Sequence, residues 1–192
     1  MLINALPKSA STSLQHTLIE LLNTKKGALT GQTKVAEDED NWDAMQHAQK
    51  EWKSKQIKKA AEDKKIYKHH IPPTSNNIEA VRQSKSPMIL LLRNHRHSAD
   101  AFFRHTDEKN SDPVNQIKDE KHYKKLKAQL ADWYFEWLKA ASSNNSICVV
   151  YFEYLTDNPS TEIKRILKHH DYCPCLADDA NLKQMRYTGH TK

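Results

Sequence analysis

A chain of 192 residues with 30 Lys and Arg against 24 Asp and Glu carries a formal net charge of +6, and is 38% apolar and 28% charged. That length suits one domain, 1–192, with a core of its own, and the positive excess favours anionic partners. No apolar run reaches the ~20 residues of a membrane span, and Lys8 interrupts the first apolar run too early for a signal peptide. The three cysteines, Cys148, Cys173 and Cys175, make no disulfide framework. A reduced, cytoplasmic setting is therefore expected. HHDYCPC (169–175) lacks a second half-site at zinc-ligand spacing, so no metal is expected.

In chain order, Leu2, Ile3, Ala5 and Leu6 read as a short buried strand. PKSASTS follows, and then Leu14, Leu18, Leu21 and Leu22 recur at helical spacing. Ser9, Ser11 and Thr12 are capable N-caps. Strand, tight loop and helix place Lys8 and unpaired backbone N–H groups at a helix N-terminus, where anions bind. NTKKGALTGQTK (23–34) reads as a polar loop. Residues 37–65 read as one or two helices, acidic first and basic later. Their thin stripe of Met45, Ala48, Trp52 and Ile57 leaves them partly exposed over the core.

KIYKHHIPP (65–73) reads as a second strand stopped by its prolines, and TSNNIEAVRQS (74–84) as a short helix. SPMILLLRN (86–94) is a continuous apolar run ending in Arg93, the pattern of a central parallel strand buried on both faces. HSADAFFRH (97–105) begins another helix and 107–113 is a loop. YKKLKAQLADWYFEWLKAA (123–141) is an amphipathic helix whose Trp133 and Trp137 face the core. SICVVYFEYL (146–155) reads as the fourth strand. PSTEIKRILKHH (159–170) is a helix that tolerates Pro159 near its start.

Strands separated by helices predict a three-layer α/β/α fold around a short central parallel sheet. Ligands of such sheets bind at the carboxyl ends of the strands. Lys8, the Lys68–His70 cluster and Arg93 each stand at such an end. Strand alternation puts His69 and His70 on opposite faces and Lys68 with His70, which favours the pair Lys68 and His70.

LPKSASTSLQHTL resembles the phosphosulfate-binding loop of sulfotransferases that use 3′-phosphoadenosine 5′-phosphosulfate (PAPS), usually Pro-Lys-Ser-Gly-Thr-Thr before a helix. The resemblance implies a P-loop-like sulfotransferase architecture and PAPS as co-substrate. It puts Lys8, Ser9, Ala10, Ser11, Thr12 and Ser13 at the cofactor. Ala10 stands where the family has glycine, which implies a backbone angle still open to an L-residue or an altered loop. YKHHIPP resembles the Lys-Thr-His-x-x-Pro segment, which implies His70 as catalytic base, with Lys68 assisting and Lys8 stabilising the leaving nucleotide. LLLRNHRHSADAFFRH resembles the 3′-phosphate segment, with Arg93 on the family arginine. The usual serine eight residues on is Ala101 here, and Ser98 lies one turn earlier on the same face. Glu153 in VVYFEYLTDNP falls on an acidic structural position. Arg186 and Gly189 in MRYTGHTK echo a C-terminal loop that closes over the nucleotide.

The activity implied is sulfuryl transfer to a hydroxyl or amine of a small-molecule or glycan acceptor, with a histidine base suited to neutral pH. Two alternatives remain: a nucleotide kinase, although Gly-x-x-x-x-Gly-Lys-Ser/Thr is absent, and a non-catalytic binder of nucleotides or polyanions. Nucleic acid is not an expected partner, since no aromatic–basic interleaving of an RNA or DNA module is present.

Overall fold

A computed structural model describes residues 1–28, 33–34, 50–108, 120–177 and 182. In chain order the elements are β1 (Leu2–Ala5), α1 (Ser11–Leu21), β2 (Lys25–Lys26), β3 (Thr33–Lys34), β4 (Lys50–Glu51), α2 (Ser54–Glu62), β5 (Lys65–His69) and α3 (Ser75–Ser84). There follow β6 (Met88–Leu92), α4 (His95–Glu108), α5 (Glu120–Ser142), β7 (Ile147–Tyr151), α6 (Phe152–Asp157), α7 (Pro159–His169) and a 3-10 turn at Pro174–Leu176. Five strands form a parallel sheet in the order β2-β5-β1-β6-β7, and β3 pairs with β4 in a separate antiparallel ribbon. Ile3 is in register with Lys68 of β5 on one side and with Ile89 of β6 on the other.

The period-two geometry of a strand divides the core into two layers. Leu2 of β1, Tyr67 of β5, and Met88, Leu90 and Leu92 of β6 face α2, α3, α4 and α5, where Ile57, Val81, Phe102, Leu126, Trp133 and Trp137 are buried. Ile3 and Ala5, Ile66, and Ile89 and Leu91 face the other way, toward Leu14 and Leu18 of α1, Leu155 of α6 and Ile163 and Ile166 of α7. All five residues of β6 are fully buried, which is why its sequence is apolar without alternation. Each such side chain contributes about 1.5–3 kcal/mol through burial.

The three-layer α/β/α architecture with a parallel sheet is the one expected. Several local readings are corrected. The strand read over 146–155 ends at Tyr151 and the chain turns directly into α6; the aromatic residues there suggest strand, but the sheet ends at Tyr151 and Leu155 is buried from the helix. The polar loop 23–34 contains β2 and β3. Among the described residues of 37–65, helix spans Ser54–Glu62. Trp52 lies ahead of that helix and is buried, its backbone N–H donating to Asn77 Oδ1 at 2.8 Å. Met45 and Ala48 lie outside the described residues. Cys173 and Cys175 are joined by a disulfide: the intervening Pro174 bends the chain enough for a local clasp, where no cross-linking framework was expected. Among the described residues no helix is long and apolar enough to cross a membrane.

Candidate active site

The chain passes from β1 through α1 to the edge strand β2, β5 then lies between β2 and β1, and β6 follows on the opposite side of β1. The carboxyl ends of β1, β5 and β6 therefore border the point where strand order reverses, the usual ligand crevice of such sheets. The loop leaving β1 is tightly wound. Lys8 (φ 62°) and Ala10 (φ 60°, ψ 28°) both adopt the left-handed conformation, and the buried Ser9 hydroxyl donates to Leu6 O at 2.6 Å. Ala10 is the N-cap residue of α1 and makes no side-chain capping bond; its carbonyl accepts from Leu14 N at 3.1 Å. The N–H groups of Ser11, Thr12 and Ser13 thus open the helix without an intrahelical partner, at its positive end.

Side chains from the neighbouring strands reach this loop. Arg93, one residue past β6, donates from Nη1 to Lys8 O at 2.7 Å, and its guanidinium lies over the Phe152 ring, 4.5 Å from the centroid. Lys68 donates from Nζ to Thr12 Oγ1 at 3.0 Å. Burial holds its ammonium pKa below the ordinary lysine value, and the nearby positive charge of Lys26 adds to this. The Lys8 ammonium stands 5.4 Å from the centre of the Phe102 ring. His70 Nδ1 is 2.6 Å from Ala5 O. A carbonyl can only accept, so the neutral ring carries its proton on Nδ1 and its lone pair on Nε2. His69 points away, its ring edge-on to Trp52 with centroids 4.5 Å apart.

The start of α4 is fixed by a second polar set. Asn94 Oδ1 accepts from Arg96 N at 3.0 Å, capping the helix, and Asn94 N donates to Glu153 Oε1 at 3.1 Å. Ser98, fully buried in the first turns of α4, has a hydroxyl with no hydrogen-bond partner among the described residues. A buried polar atom in that state suits an acceptor supplied by a ligand. Lys8, Lys68, Arg93 and an uncapped helix N-terminus give the crevice donors and positive charge, the chemistry that binds a nucleotide's phosphate or sulfate groups.

Residues 1–174 match the sulfotransferase domain family. The chain belongs to that family.

Two solved structures resemble the fold of this sulfotransferase domain at 13% identity. A mouse sulfotransferase, SULT7A1, complexed with PAP superposes with a TM-score of 0.62 over 98% of this chain and 63% of its own. Retinol dehydratase, in complex with androsterone and the inactive cofactor PAP, gives 0.57 over 96% and 63%. The domain thus spans 63% of the length of either. No curated protein matches it by sequence.

Of the residues singled out from the sequence, those of the β1–α1 loop, Lys68, His70 and Arg93 come together at one end of the sheet. Ser98 lies on α4, which starts one capping residue (Asn94) beyond Arg93. Arg186 and Gly189 lie outside the described residues. Sequence reasoning missed Phe152 beneath Arg93, because it was read as strand, and Asn94 as the cap of α4. It also missed Asn4, the one polar residue within the fully buried β1. A polar side chain inside an apolar strand was the available signal, since buried amides are hydrogen-bonded.

Proposed function

We propose that the chain is one sulfotransferase domain that moves a sulfuryl group from PAPS to a hydroxyl or amine of a small-molecule or glycan acceptor. The observation that carries this reading is the convergence on the β1–α1 loop of Lys68 from β5 and Arg93 from the end of β6, beside a histidine whose Nδ1 is tied to Ala5 O. PAPS supplies the activated sulfuryl group. The first-turn N–H groups of α1 and the hydroxyls of Ser9, Ser11, Thr12 and Ser13 surround its 5′ end, while Arg93 and Ser98 serve its 3′-phosphate. His70 Nε2 takes the proton of the acceptor hydroxyl as the new O–S bond forms. Lys8 balances the negative charge left on the phosphate oxygen as the old S–O bond breaks, and Lys68 assists it. Such a reaction depends mainly on positioning and electrostatics.

Single-turnover transfer from labelled PAPS to a panel of hydroxyl and amine acceptors, paired with calorimetry of PAP binding, tests the reading. His70→Ala should bind PAP like the parent and lose about two to four orders of magnitude in transfer rate. His69→Ala, altered on the Trp52 side of the strand, should retain most of its rate. Lys8→Ala and Arg93→Ala should each weaken PAP binding by removing a charge-assisted contact. Parent-like PAP affinity in both of these variants, or full transfer by His70→Ala, overturns the assignment.

A further inference from the structure

His70 stands one residue beyond the end of β5 and is followed by Ile71, Pro72 and Pro73. Neither proline has an N–H to donate, so side chains from elsewhere must hold the backbone that carries the imidazole. They do so at one peptide. Asn4 Oδ1, in β1, accepts from Ile71 N at 2.8 Å. Trp133 Nε1 and Trp137 Nε1, both on α5, each donate to Ile71 O at 2.8 Å. Asn77 Nδ2, on α3, donates to Pro72 O at 2.9 Å. All four of these side chains are fully buried.

The two tryptophans stand four apart on one helical face and both donate to a single carbonyl, to which Asn4 Nδ2 adds a longer contact at 3.5 Å. Core packing alone would be served by leucine or phenylalanine without an N–H to satisfy. The two consecutive residues Asn4 and Ala5 of β1 grip the two parts of the base: Asn4 the peptide just after it, Ala5 the ring itself.

We propose that Asn4, Trp133 and Trp137 are positioning residues for His70, acting through the Ile71 peptide to aim the imidazole. The catalytic part of this inference rests on the proposed transfer reaction; the geometric part does not. A loosened Ile71 peptide displaces the adjoining His70 and weakens its bond to Ala5 O, and small misplacements of a catalytic group are costly in rate.

The experiment uses Trp133→Phe, Trp137→Phe and the double variant, which remove the N–H groups and keep aromatic bulk. Leu126→Ala, a buried α5 residue, serves as a destabilised control. Long-range ¹H–¹⁵N correlation at about pH 8 reads the His70 tautomer, and single-turnover transfer and PAP affinity are measured in parallel. The parent should show the Nδ1-protonated ring. The double variant should show a mixture of tautomers, with transfer slowed roughly 10- to 100-fold and PAP affinity within about twofold of the parent. Leu126→Ala should keep the parent tautomer and rate. If the double variant fails to fold, the single variants carry the same measurements at smaller amplitude. Retention of tautomer and rate in the tryptophan variants, or equal losses in Leu126→Ala, overturns the proposal. A parent that transfers to no acceptor refutes the reaction, while the tautomer comparison still decides the positioning.

Discussion

Ala10→Gly should stabilise this protein. Ala10 sits at φ 60°, ψ 28° ahead of α1, a left-handed conformation that costs an L-residue about 1–2 kcal/mol. Glycine removes that strain but loses about 0.5–1 kcal/mol through the greater freedom of its unfolded chain. The difference leaves roughly 0.5–1 kcal/mol in favour of the variant. In a chain of 192 residues that corresponds to a rise in melting temperature of about 1–4 °C, read by thermal and urea denaturation. Lys85, the left-handed C-cap of α3 at φ 51°, ψ 22°, provides a reference far along the chain, and Lys85→Gly should give a gain of the same size. Lys8→Gly, at φ 62°, should also stabilise, and on the proposed role of Lys8 it should weaken PAP binding at the same time. An unchanged or lower melting temperature for Ala10→Gly alongside a gain for Lys85→Gly would refute the argument, because backbone relief would then not govern the loop.

Gly27→Ala should cost about 1–3 kcal/mol, because a Cβ there would lie 2.5 Å from Tyr67 Cζ and the ring is tethered by its hydroxyl to Asp63 at 2.6 Å; parent-like urea denaturation would contradict this. Burial, reinforced by the neighbouring His169, lowers the pKa of His170 from 6.5 to about 3. The unfolded chain therefore takes up this proton first as pH falls, and stability should drop by up to about 2 kcal/mol between pH 7 and 5. His170→Gln should flatten that slope, and an unaltered slope would exclude His170 as its source. Asn94→Ala should lose about 1 kcal/mol with the α4 cap, and Asn94→Asp should restore most of it, both measured by denaturation.

Much of the layered fold is legible because burial on two faces leaves an unmistakable pattern. The run at 86–94 marks β6, and the alternation through Tyr67, Lys68, His69 and His70 is enough to separate His70 from His69. The β1–α1 loop is legible through its hydroxyls and the helical leucines behind them. What is not legible depends on tertiary pairing. The strand at Lys25–Lys26 has no apolar alternation of its own and exists because β5 offers an edge. The aromatic residues of YFEYL favour a strand locally, and only the end of the sheet and the burial of Leu155 turn them into α6. The link from Trp133 and Trp137 to Ile71 joins segments some sixty residues apart, and helical periodicity reports only that these residues are buried.

The position of β1 at the middle of the sheet also governs how this protein assembles. Its two neighbours, β5 and β6, lie far downstream, with Ile3 opposite Lys68 and Ile89. At about 5–20 residues per second of synthesis, β1 waits roughly 4–20 s before both partners exist. Throughout that interval Leu2, Ile3 and Leu6 are exposed along two unpaired edges, while α1 can already form locally. Closure of such long loops is slow, so sheet completion, and with it the site built on β1, should be the late event of folding. Chaperone capture of nascent chains that end before β6 would be its cellular signature.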